Sequence, residues 1–269
     1  MTQNKTVHMA CLTAADMREI AARDPVLLLP LGSFEDQGPC TPMGDYLLAD
    51  KVAERIALKA TGQGYETYVA PVLPFGGADY FGYMPGGIAL SQTTLRAVLT
   101  DIFECLLTRG FKKIIVLNGH GGNSAMIHDV TRQIMKQTEV VIPNLYLWRA
   151  ASELLPQLLG AQKAQLSAGH GANPLFSIAM HLCPDLVKPE ALVRPESDKE
   201  AWGLKVADFG QVSLNGVSVS LPFEGDVTAT QGIGRGDPAL CDAETGLKLT
   251  DRLVETGVLL VRHMTEKNS

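Results

Sequence analysis

Apolar positions along the chain form two patterns: short runs that are apolar throughout, and longer segments in which apolar residues recur every three or four positions. The runs at 26–31 and 114–117 are bounded by turn residues, which is typical of strands buried on both faces of a parallel sheet. Segment 93–109 carries one continuous apolar stripe at helical spacing. Because such strands and helices alternate, the pattern predicts an α/β fold with a mostly parallel sheet flanked by helices on both faces.

Further elements are predicted from the same periodicities and from start and stop signals. The additional predictions are helices at 12–22, 47–57, 124–137, 174–182 and 243–263, and strands at 65–73 and 140–147. Thr13 is the expected N-cap of the first helix, and Asn173 followed by Pro174 is the expected start of the helix that runs to 182. Residues 186–242 show only short strand-like runs, such as 217–221. No linker divides the chain, so residues 1–269 are predicted to form a single domain.

Composition narrows the class of protein. Of the 269 residues 46% are hydrophobic and 19% are charged, and the net charge of −6 comes without a basic run. Binding to a phosphate backbone needs clustered Lys and Arg, so nucleic acid is not an expected partner. No run reaches the roughly 18 apolar residues of a membrane span. The polar N-terminus lacks the apolar stretch of a signal peptide, so we expect a cytoplasmic protein without membrane contact.

Two glycine-rich loops that follow predicted strands carry residues with metal-binding chemistry. Glu35 and Asp45 follow the strand at 26–31, and His120 follows the strand at 114–117. Ligands of open parallel sheets bind beyond the carboxyl ends of the strands, where both loops begin. Carboxylate oxygens and an imidazole nitrogen suit Zn²⁺ or Mn²⁺, and three protein ligands leave a position for water. Spacing alone leaves open that the two carboxylates are ordinary turn residues.

Five motifs occur in order along the chain and together resemble the creatininase (creatinine amidohydrolase) family. They extend over about residues 25–262 and lie at 31–49 (LGSFEDQGPCTPMGDYLLA), 84–91 (MPGGIALS), 110–123 (GFKKIIVLNGHGGN), 169–187 and 234–238 (GRGDP). The resemblance implies an α/β fold and a metal-dependent hydrolase that acts on small cyclic amides or related C–N bonds. It also implies a homo-oligomer, often a hexamer. A small-molecule substrate is therefore the expected partner.

The resemblance also implies roles for individual residues. Glu35, Asp45 and His120 match positions that bind the metal in the family, and His170 matches a histidine associated with proton transfer. The divalent ion is expected to be Zn or Mn. In this reading the ion activates a water molecule that attacks the substrate, and His170 accepts or donates the proton.

The chain departs from the family pattern at the second metal. Gln37 and Cys40 stand where the family has histidines. The positions at which the family has a glutamate ligand are occupied here by Gly122, Asn173 and Leu175. The loop between the first two metal-binding positions is also one residue shorter than usual. We therefore predict one metal ion per chain.

The sequence leaves several readings open. Ring opening of a cyclic ketone or keto-polyol is an alternative to amide hydrolysis. A non-catalytic relative that binds a metabolite is another. The sequence also leaves open whether Asp36, Gln37 or Cys40 takes part in the chemistry.

Overall fold

A four-stranded parallel sheet forms the centre of the computed structural model, which describes residues 6–194, 199–223, 225 and 231–267. Its strands are β1 (Val26–Leu31), β2 (Thr67–Val69), β3 (Lys113–Asn118) and β4 (Asn144–Tyr146), in the order β2-β1-β3-β4. All three pairings are parallel. Every residue of β1 is buried, as its uninterrupted apolar run predicts. The predicted α/β class is confirmed.

Among the described residues, eight α-helices with both ends defined accompany this sheet. They are α1 (Ala14–Ala21), α2 (Asp45–Gly62), α3 (Gln92–Thr108), α4 (Ser124–Thr138), α5 (Leu147–Leu159), α6 (Ala161–Ser167), α7 (Leu175–Leu182) and α8 (Ala243–Lys267). Thr13 is the N-cap of α1, as predicted, and it forms a capping box with Asp16. None of the described helices is both long enough and apolar enough to cross a membrane.

The helices form two layers because successive side chains of a strand point to opposite faces of the sheet. Leu28 of β1 belongs to a core that includes residues of α2, α5, α6, α7 and α8. Leu27 and Leu29 belong to a second core, to which α3 contributes Phe103 and α4 contributes Ile127. Helices therefore cover both faces of the sheet, as predicted.

A separate antiparallel sheet follows α7. Its strands are β5 (Glu200–Ala201), β6 (Leu204–Asp208), β7 (Gln211–Leu214) and β8 (Val217–Ser220), in sequence order. The sequence indicated only short strand-like runs in this region. The strands are short and polar, and the side chains of β8 are all exposed, so hydrophobic periodicity is weak there.

The structure differs from the local predictions in three respects. The strands predicted at 65–73 and 140–147 pair over only three residues each. Helices α5 and α6 were not predicted, because Pro156 and Gly160 interrupt their pattern. Asn173 does not cap α7: its amide donates to Ser167 Oγ and its carbonyl accepts from Ser177 Oγ, so the side chain links the end of α6 to α7 instead.

Candidate metal centre and catalytic cavity

The carboxyl edge of the parallel sheet brings together the three residues predicted to bind metal. Glu35 lies in the loop after β1, Asp45 is the first residue of α2, and His120 follows β3 by two residues. Their ligand atoms all lie within 4.8 Å of one another, and all three residues are buried. His120 Nδ1 lies 3.2 Å from Glu35 Oε1 and 3.5 Å from Asp45 Oδ2. His120 thus forms one compact cluster with Asp45 and Glu35, which precede it in the sequence by 75 and 85 positions.

Backbone and side-chain donors hold the two carboxylates in place. The N–H of Ser33 donates to Asp45 Oδ1 over 2.5 Å, and its hydroxyl donates to Asp45 Oδ2 over 3.0 Å. Gly32 leaves room for this contact, because a Cβ there would lie 2.2 Å from Asp45 Oδ1. Gln37 Nε2 lies 3.4 Å from Glu35 Oε1 and donates to it. Both carboxylates therefore have fixed orientations.

The orientation of His120 leaves one ring nitrogen for a metal. His120 Nε2 lies 2.9 Å from the carbonyl oxygen of Gly77. A carbonyl can only accept, so Nε2 carries the proton in this contact. In the neutral ring the lone pair then lies on Nδ1, which faces the two carboxylates. A hydrogen bond from the remote ring nitrogen is the usual support of a metal-binding histidine.

Charge in the cluster favours a cation. Burial raises the pKa of Asp45, and hydrogen bonding to His120 works against that increase. Burial by itself lowers the pKa of His120, but hydrogen bonds and charge from Asp45 and Glu35 outweigh burial and raise the pKa to about 10. Without metal, a proton on His120 is thus shared with two carboxylates. Two oxygen donors and one nitrogen donor fit a divalent ion such as Zn²⁺ or Mn²⁺ in its place.

His170 presents a proton acceptor to the same cavity. Its Nδ1 donates to the carbonyl of Gly232 over 2.7 Å, so the lone pair lies on Nε2. Nε2 is buried and has no hydrogen-bond partner among the described residues. The imidazole stacks on Phe81 with centroids 4.6 Å apart and meets the edge of Phe209 at 5.3 Å. These contacts fix the ring and leave one nitrogen unpartnered.

A cavity of about 790 Å³ joins the cluster to His170. Phe209, in the turn between β6 and β7, closes part of its wall and also packs against Tyr80. The sequence did not identify Phe81 or Phe209 as cavity residues, because neither lies in one of the five motifs. Tyr146 and Trp148, at the end of β4 and the start of α5, line the cavity as well.

The residues that the sequence left open have different environments. Gln37 lines the cavity beside Glu35. Asp36 is buried; its Oδ1 accepts from the N–H of Gly38 at 2.8 Å, and its Oδ2 has no hydrogen-bond partner within the described ranges. Cys40 is buried apart from the described cavity lining, and burial raises the pKa of its thiol. A raised thiol pKa does not suit a nucleophile.

Fold and cluster together define a class of α/β proteins with a carboxylate–imidazole centre at the carboxyl edge of a parallel sheet. Within that class the chain belongs to the creatininase family, because the family model described as creatinine amidohydrolase matches residues 10–261. The predicted family is confirmed.

Several relatives are hydrolases. A 3-dehydro-scyllo-inosose hydrolase of Thermotoga maritima is 30% identical over 152 residues, which make up 55% of this chain and 47% of that protein. The match thus spans about half the length of that relative. A creatinine amidohydrolase of Pseudomonas putida is 27% identical over 208 residues, which make up 71% of this chain and 77% of that protein.

Solved structures share this fold. A crystal structure of creatinine amidohydrolase superimposes with a TM-score of 0.76 at 22% identity, covering 97% of this chain and 98% of the other. At that identity the likeness shows the fold. Other solved creatininases that share this fold include a Zn–Zn form and a Mn form.

Proposed function

We propose that this chain is a metal-dependent hydrolase that opens a small polar cyclic substrate at an amide or related C–N bond. The observation that carries the proposal is the buried cluster of Glu35, Asp45 and His120, which lines the same cavity as the unpartnered Nε2 of His170. A divalent ion held by the cluster would polarise a substrate carbonyl and acidify a water molecule.

The chain's own residues would then bind the substrate and move a proton. The aromatic wall formed by Phe81 and Phe209 offers flat apolar surfaces to a small ring. His170 Nε2 would accept the proton lost by the attacking water and return it to the leaving nitrogen. The Gly232 carbonyl supports both steps, because it holds Nδ1–H and so keeps Nε2 as the acceptor.

We propose one metal ion per chain, Zn or Mn, and three positions support this stoichiometry. Gln37 is neutral and its amide donates to Glu35. Gly122 has no space for a side chain, since a Cβ there would lie 2.6 Å from both the Gly77 carbonyl oxygen and His120 Nε2. The amide of Asn173 is engaged by Ser167 and Ser177. None of these three positions supplies an anionic ligand.

A second candidate substrate class is a cyclic ketone or keto-polyol. The Thermotoga maritima relative that is 30% identical to this chain carries the name of a hydrolase of such a compound. The metal cluster and His170 would serve both classes, because each reaction begins with addition of water to a carbonyl. In the keto case a C–C bond breaks in place of a C–N bond.

A comparison of turnover and binding tests the proposal. Purified protein is incubated with ring amides, lactams and cyclic keto-polyols, with and without a strong chelator. We expect turnover that the chelator abolishes and that Zn²⁺ or Mn²⁺ restores, with about one equivalent of metal retained after desalting. His120→Ala should lose both metal and turnover, whereas His128→Ala, on an exposed position of α4, should keep both.

Three outcomes would contradict the proposal. Full activity in metal-free protein would exclude the metal mechanism, and two retained equivalents would exclude the single site. Thermal stabilisation by a ring compound without product would favour a non-catalytic binding protein.

We also propose a single-domain organisation, a cytoplasmic location and a homo-oligomer, which is a hexamer by family resemblance. Light scattering of the purified protein tests the oligomer.

A further inference from the structure

We propose that Tyr146 is a catalytic residue whose phenol donates a hydrogen bond to the substrate's carbonyl oxygen as negative charge develops there. The inference rests on the proposed hydrolase function and adds a residue to it. Tyr146 is the last residue of β4, opposite Asn118 of β3, so it lies at the same sheet edge as the cluster. It lines the cavity together with Glu35, Asp45 and His120.

The hydroxyl reaches the backbone next to His120. A Cβ placed on Gly121 would lie 3.0 Å from Tyr146 Oη, so the phenol lies directly over this glycine. Gly121 therefore provides space for the hydroxyl close to the metal cluster. No hydrogen-bond partner of that hydroxyl occurs in the part of the chain that the structure describes. The half-buried hydroxyl is therefore open to the cavity, where a substrate oxygen would accept its hydrogen bond.

The two donors nearest to this tyrosine in sequence and at the cluster, Trp148 and His120, are already engaged. His120 Nε2 contacts the carbonyl of Gly77, and the indole N–H of Trp148 donates to the carbonyl of Gly119. The carboxylates of Glu35 and Asp45 can only accept when ionised. Tyr146 thus provides a hydroxyl donor where a carbonyl bound at the cluster would point. In this role the phenol donates a hydrogen bond and keeps its proton throughout.

Two readouts test this role, and one does not depend on turnover. In turnover, Tyr146→Phe should lower kcat by about 10²-fold with KM changed less than about threefold, because the lost contact forms chiefly in the transition state. In binding, acetohydroxamate serves as an oxygen-rich probe of the zinc-loaded protein. Its Kd, measured by calorimetry, should weaken about tenfold in Tyr146→Phe. Zinc content and melting temperature should stay at wild-type values, and Tyr65→Phe, which removes a hydroxyl outside the cavity lining, is the control.

A double-mutant cycle separates the hydroxyl from general packing. Gly121→Ala should displace Tyr146 Oη, because the added Cβ would lie 3.0 Å from it. Gly121→Ala should therefore weaken hydroxamate binding in the wild type and have little further effect in Tyr146→Phe. Additive effects in the two variants would overturn the inference.

The remaining outcomes distinguish this inference from the proposed function. If the wild type opens no ring substrate, the hydrolase proposal fails, while the hydroxamate measurement still decides the role of Tyr146. If Tyr146→Phe keeps wild-type turnover and wild-type hydroxamate affinity, the inference fails and the hydrolase proposal stands. Zinc-loaded wild-type protein that does not bind the hydroxamate would also overturn the inference.

Discussion

Metal binding to the cluster should depend on pH well above the range in which an ordinary histidine titrates. Hydrogen bonds and charge from Asp45 and Glu35 outweigh burial and raise the pKa of His120 to about 10. A metal that binds Nδ1 must displace this proton. An unperturbed imidazole titrates near 6.5 and would present a free lone pair throughout pH 7.5–9. The two cases therefore differ most at mildly alkaline pH.

The size of the effect follows from the pKa. Each pH unit below the pKa costs about tenfold in apparent affinity, or about 1.4 kcal/mol. At pH 7 a pKa of about 10 corresponds to about 4 kcal/mol spent on displacing the proton. We expect the apparent zinc affinity to increase about tenfold per pH unit between pH 7 and pH 9, with release of about one proton per ion.

Competition with a chromophoric chelator, corrected for the chelator's own protonation, gives the affinity at each pH. Calorimetry in two buffers of different ionisation enthalpy gives the proton count. His128→Ala removes an exposed imidazole and should leave both results unchanged. A flat affinity above pH 7.5 without proton release would refute the reasoning, because it would show an ordinary pKa for His120.

The metal-free protein should show the same titration as a change in stability. A pKa that is raised on folding contributes stability that is fully present below the unfolded pKa of about 6.5 and is lost as pH increases through the folded pKa. For His120 the loss spans pH 6.5 to about 10. The melting temperature of metal-free protein should therefore be lower at pH 9 than at pH 7.

Two further substitutions, one of them with a matched control, test the cavity wall and the role of Cys40. Gly232→Ala should destabilise the fold by about 1–2 kcal/mol or more, because Gly232 has a left-handed backbone conformation. It should also lower turnover, because the added Cβ would lie 2.2 Å from Asp36 Oδ1, beside the carbonyl that holds His170. Gly216→Ala, with a similar φ and open space around it, should show the backbone cost alone in thermal unfolding and keep full turnover. Cys40→Ser should change kcat less than about tenfold, because this buried thiol lies outside the described cavity lining; a loss of several orders of magnitude, with a covalent intermediate, would identify a nucleophile instead.

The cluster could be predicted from the sequence because its residues follow strands with unambiguous patterns. Strands β1 and β3 are fully apolar runs that end in glycine-rich loops, and parallel pairing brings their carboxyl ends to one edge. This pairing brings Glu35 and His120 close together. The N–H of Gly119 donates to the carbonyl of Leu31, so the first residue after β3 is joined to the last residue of β1.

The opposite wall of the cavity could not be predicted in the same way. Phe209 lies in a turn of the antiparallel sheet, where polar strands carry little periodicity. Tyr146 lies in a three-residue strand and has no sequence feature that distinguishes it from a core residue. Its position over Gly121 depends on how β4 pairs with β3 and on where α5 begins, which are properties of tertiary packing.

The arrangement around Gly77 links the orientation of His120 to the lack of space for a side chain at Gly122. The Gly77 carbonyl accepts from His120 Nε2 and so directs Nδ1 toward the carboxylates. The same carbonyl lies 2.6 Å from the position that a Cβ on Gly122 would occupy. A side chain at Gly122 would have to move the loop that fixes the tautomer of His120. The contact that orients His120 therefore leaves no room for a glutamate side chain two residues after it.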